Sequence, residues 1–324
     1  MPGTGTFSSV FPASYRTSRG LFLRLASIGV PRDGANVVEI FSLRYEFVAS
    51  GTRGCDVEHV VLAGKGGRLS ATRVAVLADV HGNAIALAAV FARVMEERPD
   101  LLVFGGDLTW GPLPEETWAI VGHLQQPESR LPSIWVRGNA ERQLIEAATR
   151  IAHDEEDTLT ARERWMLEAH SPATRSALAG FVESVVVDIA SLGAVRFCHG
   201  SPRSDEELIT PATPEARMRA LSDGVEERVL VSAHTHIQFD RQVAGVRSVN
   251  PGSVGLPYQG EPGAYWALLG PDVDLRRTEY DLDEAAQRYR ASGDPLAVPL
   301  VETLLAPPSP AEVIAHAEAL EFSG

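Results

Sequence analysis

Five consecutive apolar residues, Val74-Ala75-Val76-Leu77-Ala78, run without a break into Asp79-Val80-His81-Gly82-Asn83. An apolar run of that length that stops abruptly reads as a strand buried on both faces. A carboxylate and an imidazole two residues apart at its mouth can serve as a pair of metal ligands. The rest of the chain is constrained by what must surround such a strand.

Downstream, the pattern repeats. Ala84 to Val94 is a strong helix former, closed by Arg98-Pro99-Asp100. A second run, Leu101 to Phe104, leads into Gly105-Gly106-Asp107, and a helix is expected near Glu115 to His123. A third run, Ser133 to Val136, leads into Arg137-Gly138-Asn139. Strands alternating with helices at this spacing predict a parallel sheet with crossovers, whose ligands collect beyond the carboxyl ends of the strands. Residues 140 to about 181 read as a helical insertion, with Thr160 capping the segment that follows it. Two strands, Ser184 to Ile189 and Ala194 to Cys198, then lead to His199. A helix over Pro214 to Leu221 precedes Arg228 to Ser232, which ends at Ala233-His234-Thr235-His236. Strands at 237–243, 246–249, 264–269 and 274–280 complete a second sheet, and Ser309-Pro310-Ala311-Glu312 opens a closing helix.

Residues 1 to about 72 differ from the rest. They carry eight basic against five acidic residues, whereas the remainder carries 21 against 38. Gly, Ser, Thr and Pro dominate the first twenty positions, which predicts disorder there, and 37–48 could form a strand. A flexible tail, a small appended strand pair and translated upstream sequence all remain open readings. The expected organisation is an N-terminal extension over 1–72, a main domain over 73–282 with the helical insertion at about 140–181, and a C-terminal helical segment over 283–324 packed on that domain.

The net charge of -14 argues against a nucleic-acid surface or an anionic membrane as the main partner. A small phosphate ester remains compatible if metal ions supply local positive charge. Cys55 and Cys198 form no disulfide framework, which suits a reducing cytoplasm, and no apolar stretch reaches the length of a membrane span. Nothing in the composition fixes the oligomeric state, and homo-oligomerisation stays open.

Taken singly, each polar residue at a strand end has a bland explanation, since Gly-Asp and Gly-Asn are common turn dipeptides. Their repetition at five strand ends does not. The ordered set Asp79-Val80-His81, Gly106-Asp107, Gly138-Asn139-Ala140-Glu141, His199 and Ala233-His234-Thr235-His236 resembles the calcineurin-like metallophosphoesterase superfamily over about residues 73 to 282. The Asn250-Pro251-Gly252-Ser253 turn looks like that of its small bacterial and archaeal phosphodiesterase branch.

The resemblance implies an α/β sandwich of two mixed β-sheets flanked by helices, in four αββα layers. It implies two divalent ions, one held by Asp79, His81, Asp107 and His236, the other by Asp107, Asn139, His199 and His234. Asp107 would bridge them, and a hydroxide between the metals would attack phosphorus. Mixed nitrogen and oxygen ligands suit Mn, the expected ion, and also Fe, Zn, Co or Ni. Backbone donors at Gly82 and Asn83 could orient a phosphate oxygen.

Two residues depart from the family pattern. Ala233 replaces a Gly, a small change, but Ala140 replaces a His or Cys beside the ligand Asn139. Alanine cannot protonate a leaving group, which favours phosphodiesters with good leaving groups over alkyl monoesters. His153 or His170 in the insertion could take over that role. The competing readings are a non-catalytic metal-binding scaffold on the same fold and a protein phosphatase or dinucleoside-polyphosphate hydrolase.

Overall fold

The computed structural model of the protein describes residues 69–126 and 128–320, together with three strands nearer the N-terminus. Those strands, β1 (Phe22–Gly29), β2 (Glu39–Glu46) and β3 (Val57–Ala63), form an antiparallel sheet in the order β1-β2-β3. The expected strand over 37–48 is thus β2, and the appended element has three strands instead of a pair. The first twenty residues lie outside the described ones. By its contacts the chain divides into two compact units, 1–69 and 70–324.

The second unit opens with β4 (Leu69–Ala71) and the all-buried β5 (Val74–Leu77). Helix α1 (Ala84–Glu97) follows, capped at its start by the Asn83 side chain, which accepts a hydrogen bond from the Ala86 N–H at 3.0 Å. At its other end Arg98 adopts a left-handed backbone before Pro99. Then come β6 (Leu101–Phe104), α2 (Pro114–Val121) and β7 (Ser133–Trp135). Strands β5, β6 and β7 are parallel neighbours. Two later strands complete that sheet in antiparallel sense, β13 (Ala264–Leu269) beside β5 and β14 (Val273–Thr278) beside β13.

The helical insertion comprises α3 (Asn139–Ala152), α4 (Ala161–Ala169) and α5 (Pro172–Leu178). Thr160 and Glu163 form the expected capping box at the start of α4. Beyond it, β8 (Ser184–Ile189), β9 (Gly193–Cys198), α6 (Glu215–Leu221), β10 (Val229–Val231), β11 (Phe239–Val243) and β12 (Val246–Asn250) build the second sheet. Its order is β11-β12-β10-β9-β8-β4, with β9, β10 and β12 parallel, β8 antiparallel to β9 and β11 antiparallel to β12. Two mixed sheets with flanking helices are the architecture the resemblance implied, but the strands expected at 264–269 and 274–280 to complete the second sheet belong to the first, because β13 hydrogen-bonds to β5 and β14 to β13.

Three helices follow, α7 (Leu282–Ala291), α8 (Ala297–Leu305) and α9 (Pro310–Ala319). Ala285, Ala286, Tyr289, Val301 and Leu304 of this segment pack with Ala84 and Leu113 in one buried cluster. Helices α7 and α8 therefore lie against the first turn of α1, close to the end of β5.

Candidate metal centre

All seven sequence-predicted ligands lie just past the carboxyl end of a strand, and the structure brings them together. Asp79, His81 and His236 form one group and Asp107, His199 and His234 a second, each with ligand atoms within 4.8 Å of one another. Asn139 joins the second group, its Oδ1 3.0 Å from His199 Nε2. Asp107 faces both groups, with Oδ2 3.6 Å from His81 Nε2 and Oδ1 3.5 Å from His199 Nε2.

The hydrogen bonds fix which imidazole nitrogens are bare. His81 Nδ1 faces the Trp110 carbonyl at 3.2 Å, His236 Nδ1 that of Leu256 at 2.6 Å, and His199 Nδ1 that of Gly105 at 2.8 Å. A carbonyl only accepts, so each Nδ1 carries the proton, and in the neutral ring each Nε2 is a lone pair turned into the centre. His81 Nε2 and His236 Nε2 are nevertheless only 3.0 Å apart. Beside them Asp79 Oδ1 is buried without a hydrogen bond. Acceptors gathered face to face, with a carboxylate oxygen left unsatisfied, are the donor set of a cation site. The residues present fit divalent metal.

The electrostatics divide the imidazoles: His81 and His234 are held neutral, whereas His199 is held protonated by the carboxylates until a cation takes the proton's place. Burial, reinforced by the neighbouring imidazoles, holds His81 and His234 down to about 4, the neutral form that ligation requires. Burial also opposes the charge of His199, but the carboxylates of Asp107 and Asp79 lift it to about 10. Burial would raise Asp107, yet the imidazoles around it prevail and hold it well below the usual carboxylate range.

The loops carrying these groups are strained. Eight non-glycine residues among those described have positive φ, and five are predicted ligands: Asp79, His81, Asp107, His234 and His236. A left-handed backbone costs such residues on the order of 1 kcal/mol each and persists only where the surroundings enforce it. The enforcers are visible. Glu141, buried at the third position of α3, accepts hydrogen bonds from the N–H groups of Asp107, Leu108 and Gly138. Burial and the nearby Asp107 charge push its carboxyl up to about 7. Asp79 Oδ2 accepts from the His234 N–H at 3.1 Å, and the Ser253 hydroxyl donates to the Asp79 carbonyl at 2.6 Å. Asn250 donates to the Ala233 carbonyl and to Thr235 Oγ1, so the Asn-Pro-Gly-Ser turn braces the segment before His236. The glycines have a steric reason: a Cβ on Gly138 would stand 2.1 Å from Asp107 Oδ1, and one on Gly106 2.6 Å from His199 Nδ1. Of these supports, Glu141, Asn250 and Ser253 stood in the sequence motifs without an assigned role.

Three expectations are corrected. The Gly82 and Asn83 N–H groups are engaged by the carbonyls of Leu108 and Val80, both at 3.0 Å, and are not available to a phosphate. His170 is buried with Nδ1 on the Met166 carbonyl and Nε2 on Thr109 Oγ1, so it is a structural residue. His153 is exposed at the end of α3. Ala233 is accommodated as expected, with an ordinary backbone and its Cβ 3.6 Å from the Cβ position of Gly105.

A sandwich of two mixed sheets whose strand ends gather His, Asp and Asn around a cation site defines a metallophosphoesterase-type protein. Solved structures share the fold: a metallophosphoesterase from Sphaerobacter thermophilus (24% identity, TM-score 0.56) matches 72% of this chain and 98% of its own. A hypothetical protein from Pyrococcus horikoshii OT3 (21% identity, TM-score 0.63) matches 74% of this chain and 100% of its own. No curated protein matches the chain. The calcineurin-like phosphoesterase superfamily domain matches residues 72–270, and the chain belongs to that superfamily. The membership and the two ligand groups together support a phosphoesterase-type hydrolase that binds divalent metal. No described helix is long and apolar enough to cross a membrane.

Proposed function

We propose that the chain is a binuclear phosphoesterase acting on phosphodiesters, with Asp79, His81, Asp107 and His236 holding one ion and Asp107, Asn139, His199 and His234 the other. One observation carries this reading: the bare nitrogens of His81 and His236 meet at 3.0 Å beside an Asp79 oxygen that has no hydrogen bond. Asp107 turns one oxygen toward each group, as a shared ligand must. Bound ions would neutralise the phosphoryl oxygens and bring the pKa of a coordinated water near neutrality. The chain's own part is to hold the ligands in place, through Glu141, Ser253 and Asn250, and to shape the cavity.

Manganese is the expected ion, with Fe, Zn, Co and Ni as alternatives for this mixed donor set. The substrate is a small phosphate ester. Ala140 lines the cavity and offers no proton, so the leaving group must depart without one. That favours diesters with acidic alcohols. Ala140 is also the one feature favouring a scaffold without turnover.

The test is a manganese-loaded preparation assayed with bis(4-nitrophenyl) phosphate, 4-nitrophenyl phosphate, cyclic nucleotides and a phosphopeptide, with metal content measured in parallel. The reading predicts two equivalents of metal and fastest turnover of the aryl diester. Full metal loading with no aryl diester hydrolysed would instead select the scaffold.

A further inference from the structure

The cavity over the metal centre has a second wall. Besides His81, Asp107 and Asn139 it is lined by Ala140 and Gln143 of α3, Arg162 of α4, Tyr289 of α7 and Leu300 of α8. Its volume of about 190 Å³ is small beside the few hundred Å³ of a drug-sized pocket, so it encloses a phosphoryl group and one short substituent while the second arm of a diester lies outside it. Arg162 is the one lining residue with a fixed positive charge.

The state of that guanidinium is unusual. One terminal nitrogen donates to Asp294 at 3.2 Å, and the Asp294 side chain is fully buried. Asp294 is itself held in place, since its Oδ1 accepts from the Leu296 N–H at 2.8 Å. The Arg162 Nε is buried without any hydrogen-bond partner. The other terminal nitrogen makes no hydrogen bond with the described residues and is not enclosed, so its donors are free for an acceptor in the cavity. Arginine stays charged at any physiological pH and cannot act as the acid missing at Ala140. Its planar fork matches carboxylate and phosphate oxygens.

We propose that Arg162 is the specificity-determining residue of this site, binding a second anionic group carried by the substituent of the phosphate ester. The proposal rests on the phosphoesterase reading and names its substrate class: short esters whose organic arm bears a carboxylate or a further phosphoryl group. Asp294 keeps the guanidinium oriented and partly neutralised until that anion enters, so a neutral arm gains little from the contact.

The test uses three 4-nitrophenyl phosphodiesters whose second arm is ethyl, carboxymethyl or phosphonomethyl, assayed with the manganese-loaded full chain. Wild type is expected to favour an anionic arm over ethyl by about tenfold or more in kcat/KM, the scale of one charge-assisted hydrogen bond. The comparison of the two anionic arms tells carboxylate from phosphoryl. In Arg162→Gln the anionic-to-ethyl ratio should fall to about one, with Arg162→Lys between. Asp294→Asn, which leaves the arginine in place and frees it of its counter-charge, should raise the ratio and covers the case in which Arg162→Gln does not fold. A wild-type ratio of one or less, or a ratio that Arg162→Gln leaves unchanged because both substrates lose equally, overturns the proposal. In either of those cases turnover of the ethyl ester still supports the phosphoesterase. No turnover of any of the three by metal-loaded wild type overturns both readings.

Discussion

The two walls of the cavity are built on different principles. The ligand wall stands on strand-end loops, where five of seven predicted ligands take left-handed backbone that the loops must enforce. The other wall stands on helices: Ala140 and Gln143, Arg162, Tyr289 and Leu300 all have regular helical backbone. A loop residue in such a conformation depends on its neighbours' hydrogen bonds, so changing it disturbs the centre as a whole. A helix residue can be exchanged with little cost to the backbone. On the proposed reading, the chemistry is tied to the part of the fold that resists change, and the choice of substrate to the part that tolerates it.

Substitutions on each side probe that difference. Asp107→Asn should have the largest effect, since it weakens the ligand shared by both groups: loss of both metals by elemental analysis and a fall in aryl diester kcat/KM on the order of 10³-fold. Retention of two metals would break the bridging assignment. Glu141→Gln leaves every ligand in place but weakens the three backbone hydrogen bonds behind them. Metal affinity should drop by about 10–100-fold, the range of outer-shell changes, readable by competition with a chelator. On the helical wall, Ala140→His should raise monoester turnover relative to diester by up to ~10²-fold through leaving-group protonation, with metal content unchanged. Smallest of all, Leu300→Ala should let diesters with a bulkier arm enter, alter turnover of small ones by less than about threefold and lower Tm by a few degrees. If Leu300→Ala cost metal as Glu141→Gln does, the two walls would not be separable.

The same division explains what the sequence made legible. The ligand wall could be read because each ligand ends an apolar run: Val74 to Ala78 before Asp79, Leu101 to Phe104 before Asp107, Arg228 to Ser232 before His234. Strand alternation and Gly punctuation carried the parallel core β5-β6-β7 for the same reason, but not the return of β13 and β14 to its edge, which depends on contacts as distant in sequence as Val76 with Ala267. The helical wall had no such signal. Arg162 looks like one of two arginines on a short helix, and its meeting with Asp294, 132 residues on, depends on how α4 and the α7–α8 connection pack. The histidines proposed for the insertion failed because residue type alone says nothing of direction: His170 turns to Met166 and Thr109, and His153 to solvent. Gly82 and Asn83 failed because a helix start whose N–H groups already meet carbonyls has nothing left to give a ligand.

The hydrogen bond from the His234 N–H to Asp79 joins residues 155 apart in the chain. During synthesis Asp79 and His81 leave the ribosome well before the strand that carries His234 and His236 exists. A lone Asp-x-His pair is a weak chelator open to whichever ion is most abundant and most avid, and copper and zinc win such contests. Each ligand group draws on both sheets, so neither donor set can assemble before the strand leading to His234 and His236 has formed.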